Sequence, residues 1–264
     1  MVLRTETALA SVSPNNRTFS VLGIRVNAVQ ISDTIRRIED WIADRGSSRY
    51  IAVTGMHGVI ESRRDPEALT ALRGADLVVP DGMSLVWLGR LHGIELKRRV
   101  YGPELMESFF SETEGRYKHF FYGAGSGVPE KLAEHYRQSF GANVVGTFSP
   151  PFRPMTAEEE WDLAERIRET RPDVLWVGLS TPKQEKWMFA HRALTVPVMV
   201  GVGAAFDFNS GNLKQAPSWM RENGLEWLFR LLTNPRRLWR RYLVLGPQFV
   251  CHVCAELCRL RKYD

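Results

Sequence analysis

Asp81 is the single charge in LVVPDGMSLVW (residues 77–87), where an apolar run meets Pro80-Asp81-Gly82 and then resumes. A carboxylate at such a corner can cap the following helix. It can also stand at the mouth of a site, and Ser84 offers that helix another cap. Shortly downstream, KRRVYGPEL (97–105) supplies Arg98, Arg99 and Gly102. A carboxylate facing guanidinium groups suits one chemistry well. It accepts the proton of an attacking hydroxyl while the cation receives a departing diphosphate, the pair that an inverting glycosyl transfer requires.

Three other stretches carry polar groups at the exits of apolar runs: Thr54-Gly55-Met56-His57, Gly123-Ala124-Gly125-Ser126-Gly127, and GLSTPKQE at 178–185. Glycines such as Gly123 and Gly125 let backbone N–H groups approach a diphosphate at a helix start, although a tight strand–helix turn uses the same residues. The dinucleotide fingerprint is incomplete, because Val128 stands where its third glycine belongs. No acid follows at the end of the next apolar run near Thr147, so a nicotinamide enzyme is disfavoured. In TPKQE, Glu185 suits a helix start electrostatically. Gln184 has no such structural motive and could read a uracil edge or sugar hydroxyls. Lys183 could meet a phosphate or remain solvated. No metal is expected: there is no Asp-x-Asp pair, and FDFN at 206–209 only approximates one. Cys251, Cys254 and Cys258 read as buried thiols on one face of a helix.

The elements needed to position these groups follow from hydrophobic periodicity. TFSVLGIRVNAVQ alternates like a hairpin, and ISDTIRRIEDWIADRG has helical spacing with Ser32 or Asp33 as cap. Strands YIAVTG, ADLVVP, KHFFYG, NVVGTFSP, DVLWVGLS and VPVMVGVGAAFDF then alternate with helices. Strands apolar on both faces describe a Rossmann-like α/β fold, a mainly parallel sheet with helices on both sides. Ligands of such sheets sit beyond the carboxyl ends of the strands. From about residue 212 the pattern becomes wholly helical, so we expect an α/β catalytic domain at 1–211 and a basic amphipathic helical appendage at 212–264.

The chain has 264 residues and a net charge of +5. Residues 221–264 hold nine Lys/Arg against four Asp/Glu, which accounts for the whole excess. Such asymmetry suggests a surface that meets phosphates or anionic lipid. The leading residues lack the apolar core of a signal peptide, and no apolar run reaches the ~18 residues of a spanning helix. The expected location is therefore the cytoplasm.

Taken together, VTGMHGVIESRRDPEALTALRGADLVVPDGMSLVW, RRVYGPEL, FFYGAGSG, VGLSTPKQEKW, GVGAAFDFNSG and EWLFRLLTNPRRLWRRY resemble the WecG/TagA/CpsF glycosyltransferases, glycosyltransferase family 26. The resemblance implies an inverting, metal-independent transferase without cofactor. It would move a sugar from a UDP-sugar donor to a polyprenyl-diphosphate-linked acceptor at an anionic membrane surface, which would place it peripherally on the inner face of the plasma membrane. It makes Asp81 the base, with Thr54 and Arg99 beside it and Gln184 on the donor. Arg230, Arg237 and Arg240 match the appendage arginines placed near the lipid diphosphate. Met56 departs from an Asn of many relatives, and the TGMHGV form looks more like the branch building exopolysaccharides, which favours UDP-glucose over UDP-N-acetylmannosamine. In that form the resemblance implies contact of His57 with donor or acceptor, and a structural histidine is the other reading. No nucleic acid partner is expected, and a homo-oligomer is possible through the apolar face of the appendage. The alternative is a non-catalytic nucleotide- or lipid-binding subunit of a polysaccharide assembly complex.

Overall fold

The computed structural model describes residues 17–263. The segment in which no signal peptide is expected therefore lies, up to residue 16, outside the described residues. An antiparallel hairpin of β1 (Thr18–Val21) and β2 (Ile24–Asn27) precedes the main sheet. That sheet has six parallel strands, β3 (Arg49–Thr54), β4 (Leu77–Pro80), β5 (Lys118–Gly123), β6 (Asn143–Phe148), β7 (Val174–Gly178) and β8 (Val198–Gly201), in the order β4-β3-β8-β7-β5-β6. The mainly parallel α/β architecture is as the apolar strands imply.

Because successive strand residues face opposite sides, the sheet builds two cores. Tyr50, Ala52, Val78, Phe120, Leu175 and Met199 enter one, while Ile51, Val53, Val79, Phe121, Trp176 and Val200 enter the other. The second core is covered by α1 (Ile31–Asp44), α5 (Gly102–Thr113) and α6 (Val128–Phe140). The first is covered by α2 (Met56–Ser62), α3 (Pro66–Arg73), α4 (Met83–Leu91), α7 (Ala157–Thr170) and α8 (Lys183–Ala190).

Four local expectations are corrected. Helix α1 starts at Ile31, earlier than a cap at Ser32 or Asp33 allows; Asp33 instead accepts the Gln30 N–H at 3.0 Å from inside the first turn. Helix α5, absent from the sequence reading, buries Leu105, Met106, Phe109 and Phe110. The last strand stops at Gly201, Gly203 turns with a φ of +57°, and AFDFN becomes α9 (Ala205–Asn209). Phe206 then packs where any Cβ on Gly178 would lie 2.6 Å from its ring.

The fourth correction concerns the cysteines. The C-terminal segment runs through α10 (Ser218–Glu222), α11 (Glu226–Thr233), α12 (Pro235–Trp239), a π-helical turn at Arg240–Val244 and α13 (Leu245–Leu257). Helix α13 buries Leu245, Phe249 and Val253 in the first core, a stripe at i, i+4 and i+8. The three cysteines fall off that stripe and are exposed. Among the described residues, no helix is long and apolar enough to cross a membrane.

Candidate active site

Strands β3 and β4 end in register, with Thr54 beside Pro80, so the polar residues after them emerge side by side. The Asp81 N–H donates to the Thr54 carbonyl at 2.8 Å, fixing the corner. The Asp81 side chain does not cap its own helix, whose N-cap Gly82 has no side-chain hydrogen bond. Instead Asp81 Oδ1 accepts the Gly102 N–H at 3.3 Å, from the first residue of α5. The carboxylate thus ties the corner after β4 to the start of α5.

Arg99 lies over it. Its Nη1 donates to the Asp81 carbonyl at 3.4 Å, its Nη2 donates to Glu226, and its guanidinium stacks 4.1 Å above the Tyr101 ring. Glu226 also faces Arg230 at 3.9 Å. Burial holds the Asp81 carboxyl above the usual carboxylate range; Arg99 opposes that rise and Glu226 adds to it. His57, in the first turn of α2, is pushed down to about 3 by burial and by Arg241 and Arg230, so its ring is neutral at physiological pH.

Thr54 is buried, and its Oγ1 has no partner among the described residues. Any side chain at Gly58 would begin 2.0 Å from that oxygen, so α2 can cross the strand end only with glycine there. Gln184 is buried as well. Its amide donates to Glu185 Oε1 at 3.1 Å and to the Gly201 carbonyl at 3.3 Å, leaving Gln184 Oε1 as an unpartnered acceptor. Two protein acceptors therefore settle which end of the amide is NH₂.

The expected residues do not all meet. Gly123 and Gly125 follow β5, four strand spacings from β4, or about 19 Å. Gly123 has a φ of +132° against the Gly178 backbone, and Gly127 opens α6. That loop cannot hold the same phosphate as Arg99. Lys183 is exposed. Of the appendage arginines, Arg230 joins the cluster, whereas Arg237 and Arg240 are exposed. Arg241 turns inward instead, close enough to act on His57 and Asp81. The helix breaks at Asn234 (φ −143°, ψ 60°), between Arg230 and Arg237, so α12 does not continue the face that α11 presents to the cluster.

Sequence reasoning therefore missed Tyr101, Glu226 and Arg241. Glu226 had a signal, being a lone acid four residues before Arg230 in an otherwise basic segment. Beside the cluster lies a cavity of about 490 Å³, walled by residues that include Met83, Trp87, Arg98, Arg99, Glu107 and Arg221. Among the described residues no three His, Cys, Asp or Glu are grouped to hold a metal ion.

Residues 19–263 match the family described as "Glycosyl transferase WecG/TagA/CpsF family". Three relatives share the name N-acetylglucosaminyldiphosphoundecaprenol N-acetyl-beta-D-mannosaminyltransferase. The protein of Bacillus spizizenii (strain ATCC 23059 / NRRL B-14472 / W23) is 31% identical over 226 residues, 85% of this chain and 86% of its own. That of Bacillus subtilis (strain 168) is 30% identical over 228 residues, 86% and 87% of the two chains. That of Staphylococcus aureus (strain NCTC 8325 / PS 47) is 26% identical over 251 residues, 94% and 96%. With the match running through both the sheet and the C-terminal helices, the chain belongs to the WecG/TagA/CpsF glycosyl transferase family.

Proposed function

We propose that this protein transfers a hexose or N-acetylhexosamine from a UDP-sugar to a saccharide carried on a polyprenyl diphosphate, by a metal-independent, inverting displacement. The observation that carries the reading is the Asp81 carboxylate bridging β4 and α5 with the Arg99 guanidinium beside it. Asp81 takes the proton of the acceptor hydroxyl as that oxygen attacks the anomeric carbon. Arg99 neutralises the diphosphate that leaves from the opposite face. Thr54 and Gln184 support the reading with buried polar atoms that lack protein partners. The cavity of about 490 Å³, lined in part by Arg99, provides room for a substrate group next to that guanidinium.

The relatives' names give N-acetylmannosamine as the sugar moved and an undecaprenol-linked N-acetylglucosamine as the acceptor. They lend no support to UDP-glucose or to an exopolysaccharide role, and neither preference is carried forward. For the location, Trp219, Trp239, Leu232 and Leu243 are exposed on the segment that also carries Arg236, Arg237 and Arg240. Apolar groups interleaved with arginines suit a peripheral contact with anionic lipid.

The test is Asp81→Asn, assayed for transfer from UDP-N-acetylmannosamine to a short-chain polyprenyl-diphosphate N-acetylglucosamine and, separately, for UDP binding. Transfer should fall by about 10²–10⁴-fold with UDP binding retained. The wild-type rate should fall with decreasing pH through a midpoint above the usual carboxylate value of about 4, because the base must be ionised. Near-normal turnover by the variant would overturn the assignment. Tight UDP binding without turnover by the wild-type chain would favour a non-catalytic subunit.

A further inference from the structure

We propose that Glu226 is a positioning residue of the reaction, holding Arg99 in place and offsetting the positive charge of the arginines gathered around Asp81. The inference rests on the roles given above to Asp81 and Arg99, and it concerns a residue that those roles do not require.

Glu226 is the first residue of α11, and its side chain is 8% exposed. It receives the Arg99 Nη2 and faces Arg230 Nη1 at 3.9 Å. Arg241, whose Nε is buried without a partner, completes the group. A buried carboxylate among three guanidinium groups is held by charge, and here it comes from the C-terminal helices while Asp81 and Arg99 come from the sheet. The charged and titratable groups acting on Asp81 are Arg99 and Tyr101 before α5, Glu226 on α11 and Arg241 in the π-helical turn, with the Gly102 N–H as a neutral donor. Neutral His57 lies within the electrostatic reach of Arg230 and Arg241.

Two consequences of opposite sign follow. Three arginines with Asp81 and Glu226 ionised leave one net positive charge, and removing Glu226 leaves two. A diphosphate would then bind more tightly, having no protein carboxylate to compete for Arg99. Asp81 would lose a neighbouring negative charge, its carboxylate would be better stabilised, and it would become a weaker base. Glu226 thus favours turnover at the expense of product affinity. It also keeps UDP from being trapped.

The experiment compares Glu226→Gln and Glu226→Asp with the wild-type full chain. Calorimetry should give UDP binding by Glu226→Gln tighter by about fivefold, while kcat falls by about tenfold and the acidic limb of its pH profile moves down by about one unit. Glu226→Asp, which keeps the charge, should restore the limb and most of kcat. Weaker or unchanged UDP binding by Glu226→Gln, or a limb that does not move, overturns the proposal; parallel losses in both variants indicate a purely structural residue and overturn it too. Should Glu226→Gln fail to fold, Glu226→Asp decides: a shifted limb or a UDP affinity that departs from the wild type in that variant refutes the charge argument. Asp81→Asn run alongside separates the two readings, since its retained activity would sink the base assignment itself, whereas a dead Asp81→Asn with unaltered Glu226 variants would sink this inference alone.

Discussion

Arg99→Met isolates the ion pair that joins the C-terminal helices to the sheet. The Arg99 side chain is 14% exposed and that of Glu226 is 8%, so the pair is nearly out of water. Removing one member of a buried pair costs about 3–5 kcal/mol, because the other charge is left uncompensated. Arg230 at 3.9 Å still compensates part of Glu226, which points to the lower end, about 3 kcal/mol. Within that figure the lost stacking of Arg99 on Tyr101 contributes about 1 kcal/mol. Denaturant unfolding should resolve the change, and the melting temperature should fall by about 6–12 °C. Glu226→Leu alone should cost somewhat less. The double variant Arg99→Met/Glu226→Leu should be no worse than the poorer single variant, a coupling of about 2–3 kcal/mol. Losses that add to within about 0.5 kcal/mol would show that the two side chains stabilise the fold independently, and the clamp would be refuted.

Two further outcomes are expected. Phe249→Ala, deleting a 4%-exposed ring of α13 from the first core, should cost about 3–5 kcal/mol by denaturant unfolding; a loss under about 1 kcal/mol would mean that α13 does not complete that core. Charge placed on the exposed apolar residues, as Trp239→Glu with Leu243→Glu, should lower partitioning onto anionic vesicles by about tenfold or more with an unaltered melting temperature, and unchanged partitioning would refute the membrane contact. These substitutions probe that contact better than deleting residues 221–264, since the deletion would also strip Leu245, Phe249 and Val253 from the core.

Much of this protein is determined by local sequence. Strands with no polar face, such as VLWVG and IAVT, can be satisfied only inside a parallel sheet covered on both sides, which set the fold class and put the loops after Thr54 and Pro80 at its carboxyl edge. Asp81 stood out as a candidate because it is the lone charge at the end of such a strand with arginines shortly downstream, although a helix cap uses the same residue type. Its partners were a different matter. That Asp81 receives the N–H of Gly102 rather than capping α4 depends on how α5 meets the strand end, over twenty residues away in the chain. The glycine loop has local credentials for a phosphate, yet the crossover order sets it four strands from Asp81, a distance that no periodicity encodes. The arginines show the limit most plainly. The family resemblance selects Arg237 and Arg240 along with Arg230, but the helix breaks at Asn234 between them, and it is Arg241 that turns inward toward Asp81. Glu226 carried only a weak signal in a basic helical stretch, and it is the placement of α11 that brings its carboxylate onto Arg99. Residue types set which chemistry was available, and the packing of the C-terminal helices on the sheet decided which charges share one buried volume, where their mutual fields are strong.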